Sequence, residues 1–176
     1  MVIDDTIATY TATKKLLDEN RKTIVLISNI DELSVGKLRL EGYLKALNEN
    51  DSYSNDPIHI HITKDENIEE KIAELFKIYA HVDGIIAIDN ISGVVALNMA
   101  KDLGYKIPDD LSIIGFSDDN VLNFTNPKLT TIAQDANAIG RMSVEMLLQR
   151  IHQQDGVLTY KTKVIKTPLL ERGTTK

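Results

Sequence analysis

The sequence contains no cysteine and no tryptophan, carries more acid than base, and holds no long unbroken apolar run. Each absence closes off a class of protein. Without cysteine there is no disulfide framework, no thiolate-ligated zinc and no thiol nucleophile. With 20 Lys and Arg against 26 Asp and Glu, a formal charge of −6, the chain lacks the clustered cations that phosphate backbones require, and by itself it is not expected to bind DNA. No segment approaches the ~18 apolar residues of a membrane span. The opening MVIDDTIATYTATKKLL has no basic stretch followed by an apolar one, so it does not read as a secretory leader. A soluble, cytoplasmic chain with no membrane partner is the expectation. Neither a phosphate loop (GxxxxGKS/T), a GxGxxG turn nor a GxSxG elbow is present, which leaves nucleotide hydrolysis and elbow-type hydrolysis without support.

What is present suits a packed core. At 176 residues the chain can bury roughly 70% of its unfolded surface, and 43% apolar beside 26% charged residues is globular rather than disordered composition. Short β-branched runs alternate with longer helical ones, the pattern of βα units around a parallel sheet. Thr23 to Ser28, Ile58 to Ile62, Gly84 to Ile88 and Leu111 to Phe116 read as strands. Between them, Gly36 to Leu47, Asn67 to Tyr79 and Ile91 to Leu103 repeat apolar residues at helical spacing, as in Leu40, Tyr43, Leu44 and Leu47. Asp5 to Asn20 predicts an earlier helix burying Ile7, Ala8, Ala12 and Leu16, with Tyr10 a further candidate. Ser34 is placed to cap its helix, and Gly104 to end one in left-handed backbone before Pro108. After Thr130 the cadence changes to a short extended run (Leu129 to Ala133), a long amphipathic helix (Ala136 to Gln153) and a strand (Thr162 to Leu170) interrupted at Pro168. A proline there suggests an edge, or the point where the chain leaves one sheet for another.

Polar residues follow four successive strands: Ser28 and Asn29, Thr63 and Lys64, Asp89 and Asn90, then Ser117 with Asp118 and Asp119. Open α/β sheets bind ligands at the carboxyl ends of their strands, so topology alone draws these residues toward one crevice. They pair no nucleophile with a base. An enzyme using Asp118 or Asp119 as general acid or base would need a partner group that the sequence does not offer, and no catalytic residue is assigned. His59 and His61 share one face of a strand, but with no further ligand in sight they read as its polar face and not as a metal site.

The run from Ile86, IAIDNISGVVALNMAKDLGYKIPDDLSIIGFSDDNVLNFTNPKLTTIAQDANAIGRMSVEMLLQRI, resembles the effector-binding core of LacI-type bacterial transcription regulators. Gly104, Pro108, Gly115, Phe116, Pro127, Leu129, Thr130, Thr131, Gln134, Gly140 and the closing Arg172, Gly173, Thr174 and Thr175 fall in that family's register. Leu33 to Ala46 and Val2 to Leu17 look like two of its helices, so the likeness covers nearly the whole chain. The resemblance implies a periplasmic-binding-protein-like type I fold, an α/β three-layer sandwich with a mainly parallel sheet, in truncated form. On that mapping residues 1–132 are the C-terminal subdomain, 133–160 a crossover segment normally belonging to the N-terminal one, and 161–176 the returning strand and tail. The same mapping implies that the DNA-binding domain and most of the N-terminal subdomain are absent.

The same resemblance implies a ligand site. Arg39 sits where the family's helix arginine reaches the effector, and its planar five-donor fork suits bidentate polar recognition. A solvated helix arginine is the competing reading. Asp89 and Asn90 stand where many members have Asn then Asp, an inverted pair. Ser117 replaces a frequent aspartate, for which Asp118 is the substitute, while Gln134 matches a crossover residue and Thr63 a position often aromatic. The expected ligand is a small molecule, a carbohydrate or related metabolite, with no cofactor and no metal. The expected partners are a second copy in a homodimer and operator DNA reached only through the absent domain. The alternative on this fold is a periplasmic sugar-binding protein of a transport system.

Overall fold

The computed structural model describes residues 2–117, 125–152 and 162–176. In chain order the elements are β1 (Val2–Ile3), α1 (Asp5–Asp18), β2 (Ile24–Ser28), α2 (Ser34–Asn48), β3 (Ile58–His61), α3 (Ile68–Ile78), β4 (Gly84–Ala87), α4 (Ser92–Asp102), β5 (Ser112–Phe116), β6 (Thr130–Ile132), α5 (Ala136–His152), β7 (Val164–Ile165) and β8 (Leu169–Leu170). The β-branched runs pair as expected, in a sheet of order β3-β2-β4-β5-β6-β8 that is parallel until β8 joins antiparallel.

Strand residues point alternately to the two faces, and both faces are covered. Val25, Ile27, Ile85 and Ile113 pack with Ile72 and Leu75 of α3 and Ala96 and Leu97 of α4. Ile24, Leu26, Ile86 and Ile114 pack with Ala12 and Leu16 of α1 and Tyr43 and Ala46 of α2. This is the three-layer α/β arrangement, and each fully buried Ile or Leu in it contributes roughly 1.5–3 kcal/mol. Tyr43, wholly buried, donates its hydroxyl to Ile24 O at 2.9 Å and accepts from Ile58 N at 3.0 Å, tying β2 to the start of β3.

Helix α1 buries Ala8, Ala12 and Leu16 as read from sequence and departs from that reading at Ile7. Ile7 is exposed, and the buried stripe runs through Asp5, Ala8, Thr9, Ala12, Thr13 and Leu16. The cause is close packing on α2: a Cβ on Gly42 would lie 2.2 Å from Thr6 O, so only small residues fit between the two axes. The buried stripe of α2 correspondingly runs through Gly36, Arg39, Gly42, Tyr43, Ala46 and Leu47, leaving Leu40 and Leu44 half-buried. Ser34 is the first helical residue and not the cap; Leu33 occupies that position and offers no side-chain bond. Gly104 does close α4 with a φ of 86°, a conformation glycine adopts without penalty.

The last segment splits at Pro168. β7 pairs in parallel with β1 as a separate two-stranded sheet, while β8 enters the large sheet beside β6. The tail then threads back: Thr174 Oγ1 donates to Ile113 O at 2.6 Å and accepts from Thr130 N at 2.8 Å. Helix α5 buries none of its residues, and Val144, Leu147, Leu148 and Ile151 stand exposed. Among the described residues no helix is long and apolar enough to cross a membrane.

Candidate ligand site

Strand β2 has β3 on one side and β4 on the other, so the chain's next two strands lie on opposite flanks of it. This is a topological switch point, where a crevice opens beyond the strand ends. A pocket of about 270 Å³ lies there, lined by Asn29 and Ile30 after β2, Ile88, Asp89, Asn90 and Ile91 after β4, and Arg39 from α2. The volume sits near the lower bound of roughly 300 Å³ for small-molecule pockets, as a single wall of a larger cleft would.

Arg39 is 5% exposed, which excludes a solvated helix arginine. Its Nε–H donates to Asp5 Oδ1 at 2.7 Å and its Nη1–H to the Ile88 carbonyl at 2.7 Å. Behind it, the Phe116 ring centroid is 3.5 Å from Cζ, a cation–π contact that also desolvates the group. Burial pushes the Arg39 pKa down, opposed by its bond to Asp5 and by the charges of Asp5 and Asp89. An arginine starts so high that it remains cationic. Among the described residues Nη2 has no hydrogen-bond partner, so part of the fork is uncommitted.

Asp89 is also buried. Its Oδ1 accepts from Ile91 N at 2.9 Å and Ser92 N at 2.8 Å, satisfying the first amides of α4. Its Oδ2 is a buried acceptor without a donor, and Ser92 Oγ is likewise unpartnered. Unsatisfied buried polar atoms are costly and uncommon, and one of these two belongs to a residue that lines the pocket, Asp89.

The other expected residues fall elsewhere. Ser117 is buried directly after Phe116, and Gln134 is half-buried after β6; each is engaged in an interaction of its own, and neither lines the pocket. Thr63 is exposed and donates its N–H and hydroxyl to Glu66 at 2.8 and 3.0 Å. Lys71, then Thr63, hold the Glu66 carboxyl down at about 2. Asp118 lies outside the described residues, as does Asp119. His59 and His61 do share a face, their rings stacked at 6.5 Å, with Asp31 Oδ2 3.1 Å from His59 Nε2 and 3.5 Å from His61 Nδ1. Among the described residues no group of three His, Asp or Glu is arranged to hold a metal ion.

Three contributors were missed from sequence: Asp5, Phe116 and Ser92. A signal existed for the first. Asp5 lies on the stripe of Ala8 and Ala12, and Arg39 on that of Tyr43 and Ala46, so each helix carries one charge on its apolar phase. Opposite charges on two buried stripes point to each other.

Residues 13–175 match the family model of the periplasmic binding protein-like domain. The chain is 30% identical to the HTH-type transcriptional regulator MalR of Clostridium butyricum over 97% of its length and 50% of that protein's. It is also 30% identical to the HTH-type transcriptional repressor CytR of Escherichia coli K12, over 99% and 51%. The chain thus spans about half the length of these relatives. Among solved structures, a LacI family transcriptional regulator from Enterococcus faecium with bound ribose superposes with a TM-score of 0.85 at 26% identity, over 98% of this chain and 63% of that one. The family model covers nearly the whole chain and the relatives agree on its setting: the chain belongs to the periplasmic-binding-protein-like domain family, in the form that LacI-type regulators carry.

Proposed function

We propose that this chain is the effector-binding part of a LacI-type transcriptional regulator, and that the pocket holding Arg39 and Asp89 is one wall of its effector site. The observation that carries this is Arg39 itself, buried yet with one nitrogen of its fork uncommitted at a switch-point crevice. Ser117, Gln134 and Thr63 lie outside that pocket and are carried in this reading as further residues of the effector site. A small molecule, a sugar or related metabolite, is the effector; the ribose carried by the Enterococcus faecium neighbour supports that class.

The domain reading has residues 1–132 as one subdomain, 133–160 as the crossover and 161–176 as the return. It is supported by α5, which buries nothing, and by the β1–β7 pair, since two strands alone are only marginally stable in water. Both need further protein against them. In the whole regulator, effector binding favours one angle between subdomains, and in a homodimer that angle sets the spacing of DNA-reading heads that this chain does not contain. The regulator works in the cytoplasm. The transport alternative is disfavoured because the relatives are HTH-type regulators.

The test is calorimetric titration of the chain with ribose, glucose, maltose, cellobiose and cytidine. Arg39→Lys, which keeps the charge but loses the fork, is expected to weaken binding at least tenfold. Equal affinity in wild type and variant would overturn the assignment of Arg39.

A further inference from the structure

His59 and His61 of β3 lie outside the pocket that holds Arg39. β3 is the edge of the large sheet and, among the described residues, pairs only with β2. Its register places His59 beside Leu26 and His61 beside Ser28, so both rings lie on the face covered by α1 and α2. There they meet Asp31, in the turn between β2 and α2, whose Oδ2 is 3.1 Å from His59 Nε2 and 3.5 Å from His61 Nδ1. The two histidine side chains are 25% and 36% exposed, so solvent protons reach them.

The contact is close, yet it is not a hydrogen bond: His59 Nε2 and Asp31 Oδ1 are buried atoms without a hydrogen-bond partner. A neutral imidazole gains little from a carboxylate to which it makes no hydrogen bond, whereas a protonated ring gains an ion pair. The rings stack with centroids 6.5 Å apart. Once one of them is charged the other is opposed, so the single carboxylate suits one proton held over the pair. Other charged groups border the strand without joining it. α3 brings Lys71 and Glu74 to the same groove, with Lys71 tied to Glu66 at 2.8 Å and to Glu74 at 3.7 Å. α2 carries Lys37 and Glu41, Glu32 follows Asp31 in the turn, and β2 has no charge. Among the described residues only Asp31 pairs with either ring.

The same connection carries Asn29 and Ile30 of the pocket wall, and its turn is closed by the Leu33 N–H donating to Ile30 O at 2.9 Å. We infer that Asp31, His59 and His61 form a proton-operated catch, which holds the turn after β2 against the edge strand when one ring is protonated and releases it when both are neutral. Histidine changes charge between pH 5 and 8, so the catch works near neutrality. By linkage, a contact made only by the charged ring adds stability at low pH and loses it as pH rises. The catch is independent of which molecule the pocket binds.

Amide hydrogen exchange of the whole chain, read residue by residue by NMR with a chelator present so that no metal bridges the rings, tests this. Between pH of about 7.5 and about 5.5, across the histidine range, the protection factor of the Leu33 amide should rise. A rise of roughly threefold is the size of a part-exposed ion pair. The Glu49 amide, at the far end of α2 and bonded to Lys45 O at 3.1 Å, should keep its protection. Asp31→Asn keeps the shape of the side chain and removes its charge, and should abolish the rise at Leu33. His59→Gln combined with His61→Gln removes the proton site from the other side and should do the same, which keeps the test open if Asp31→Asn folds poorly. No rise in the wild type, a rise that persists in either variant, or an equal rise at Glu49 overturns the inference.

Discussion

Two arginines lie at opposite ends of the sheet, Arg21 at 6% and Arg39 at 5% exposure, and their surroundings differ. Arg21 donates to Asp109 O at 3.1 Å, to Pro108 O and to Ser112 Oγ at 2.7 Å, with Glu19 Oε2 3.5 Å from Nε. Ser112 in turn donates to Glu19 at 2.5 Å, and Glu19 accepts from Lys176 N at 2.8 Å. That network joins α1, β5 and the chain end. Both arginines keep a nitrogen without a hydrogen-bond partner, Nε in Arg21 and Nη2 in Arg39, but Arg39 borders a pocket that Asp89 also lines. Burial of a charge therefore does not by itself mark a ligand site. In the proposed reading, leftover hydrogen-bonding capacity at the border of a cavity does.

The contrast can be broken most severely at Arg21. Arg21→Met removes the donor from two carbonyls and Ser112 and takes the cation from Glu19 at once, and one-sided loss of a buried charged network costs about 3 kcal/mol. Urea unfolding should show that loss, while ligand affinity of the folded fraction stays unchanged; a loss of affinity would mean the two ends are coupled. Gly42→Ala comes next. Its Cβ would meet Thr6 O at 2.2 Å, so α1 must move from α2 at a cost of about 2 kcal/mol. Because Asp5 rides on α1, the same variant should also weaken ligand binding, whereas Arg21→Met does not.

Arg39→Lys sharpens the comparison from the other side. Losing charge-assisted bonds to Asp5 and Ile88 O costs about 1.5 kcal/mol in unfolding, less than Arg21→Met, yet removes binding at least tenfold. The smallest effect belongs to a half-buried surface pair, Glu66 and Lys71. Glu66 is held below its ordinary 4.5, at about 2, by Lys71 and Thr63. A depressed carboxyl adds stability above its unfolded value and loses it as pH falls from about 4.5 to 2. Glu66→Gln should flatten that part of the stability–pH curve and leave pH 7 ligand binding unchanged.

The central strands and helices were legible because β-branched runs and helical periodicity are local signals, and a proline inside a strand correctly marked the passage from one sheet to another. The place of Ile7 on α1 was not, because it is exposed for a tertiary reason, the closeness of α2 at Gly42. The amphipathic pattern of α5 was legible, but what covers it is not part of the chain's described contacts. At the site, Arg39 and Asp89 were legible through family register and strand-end position. The pairing of Arg39 with Asp5 and Phe116 was not, since it joins residues 34 and 77 positions away.

The most direct measurement follows the side-chain Nε–H resonances of Arg21 and Arg39 by NMR during titration with ribose, glucose, maltose, cellobiose and cytidine. An effector seated as described shifts the Arg39 signal and leaves that of Arg21 in place. Saturable binding that moves neither signal, or Arg21 alone, would contradict the placement of the ligand against Arg39.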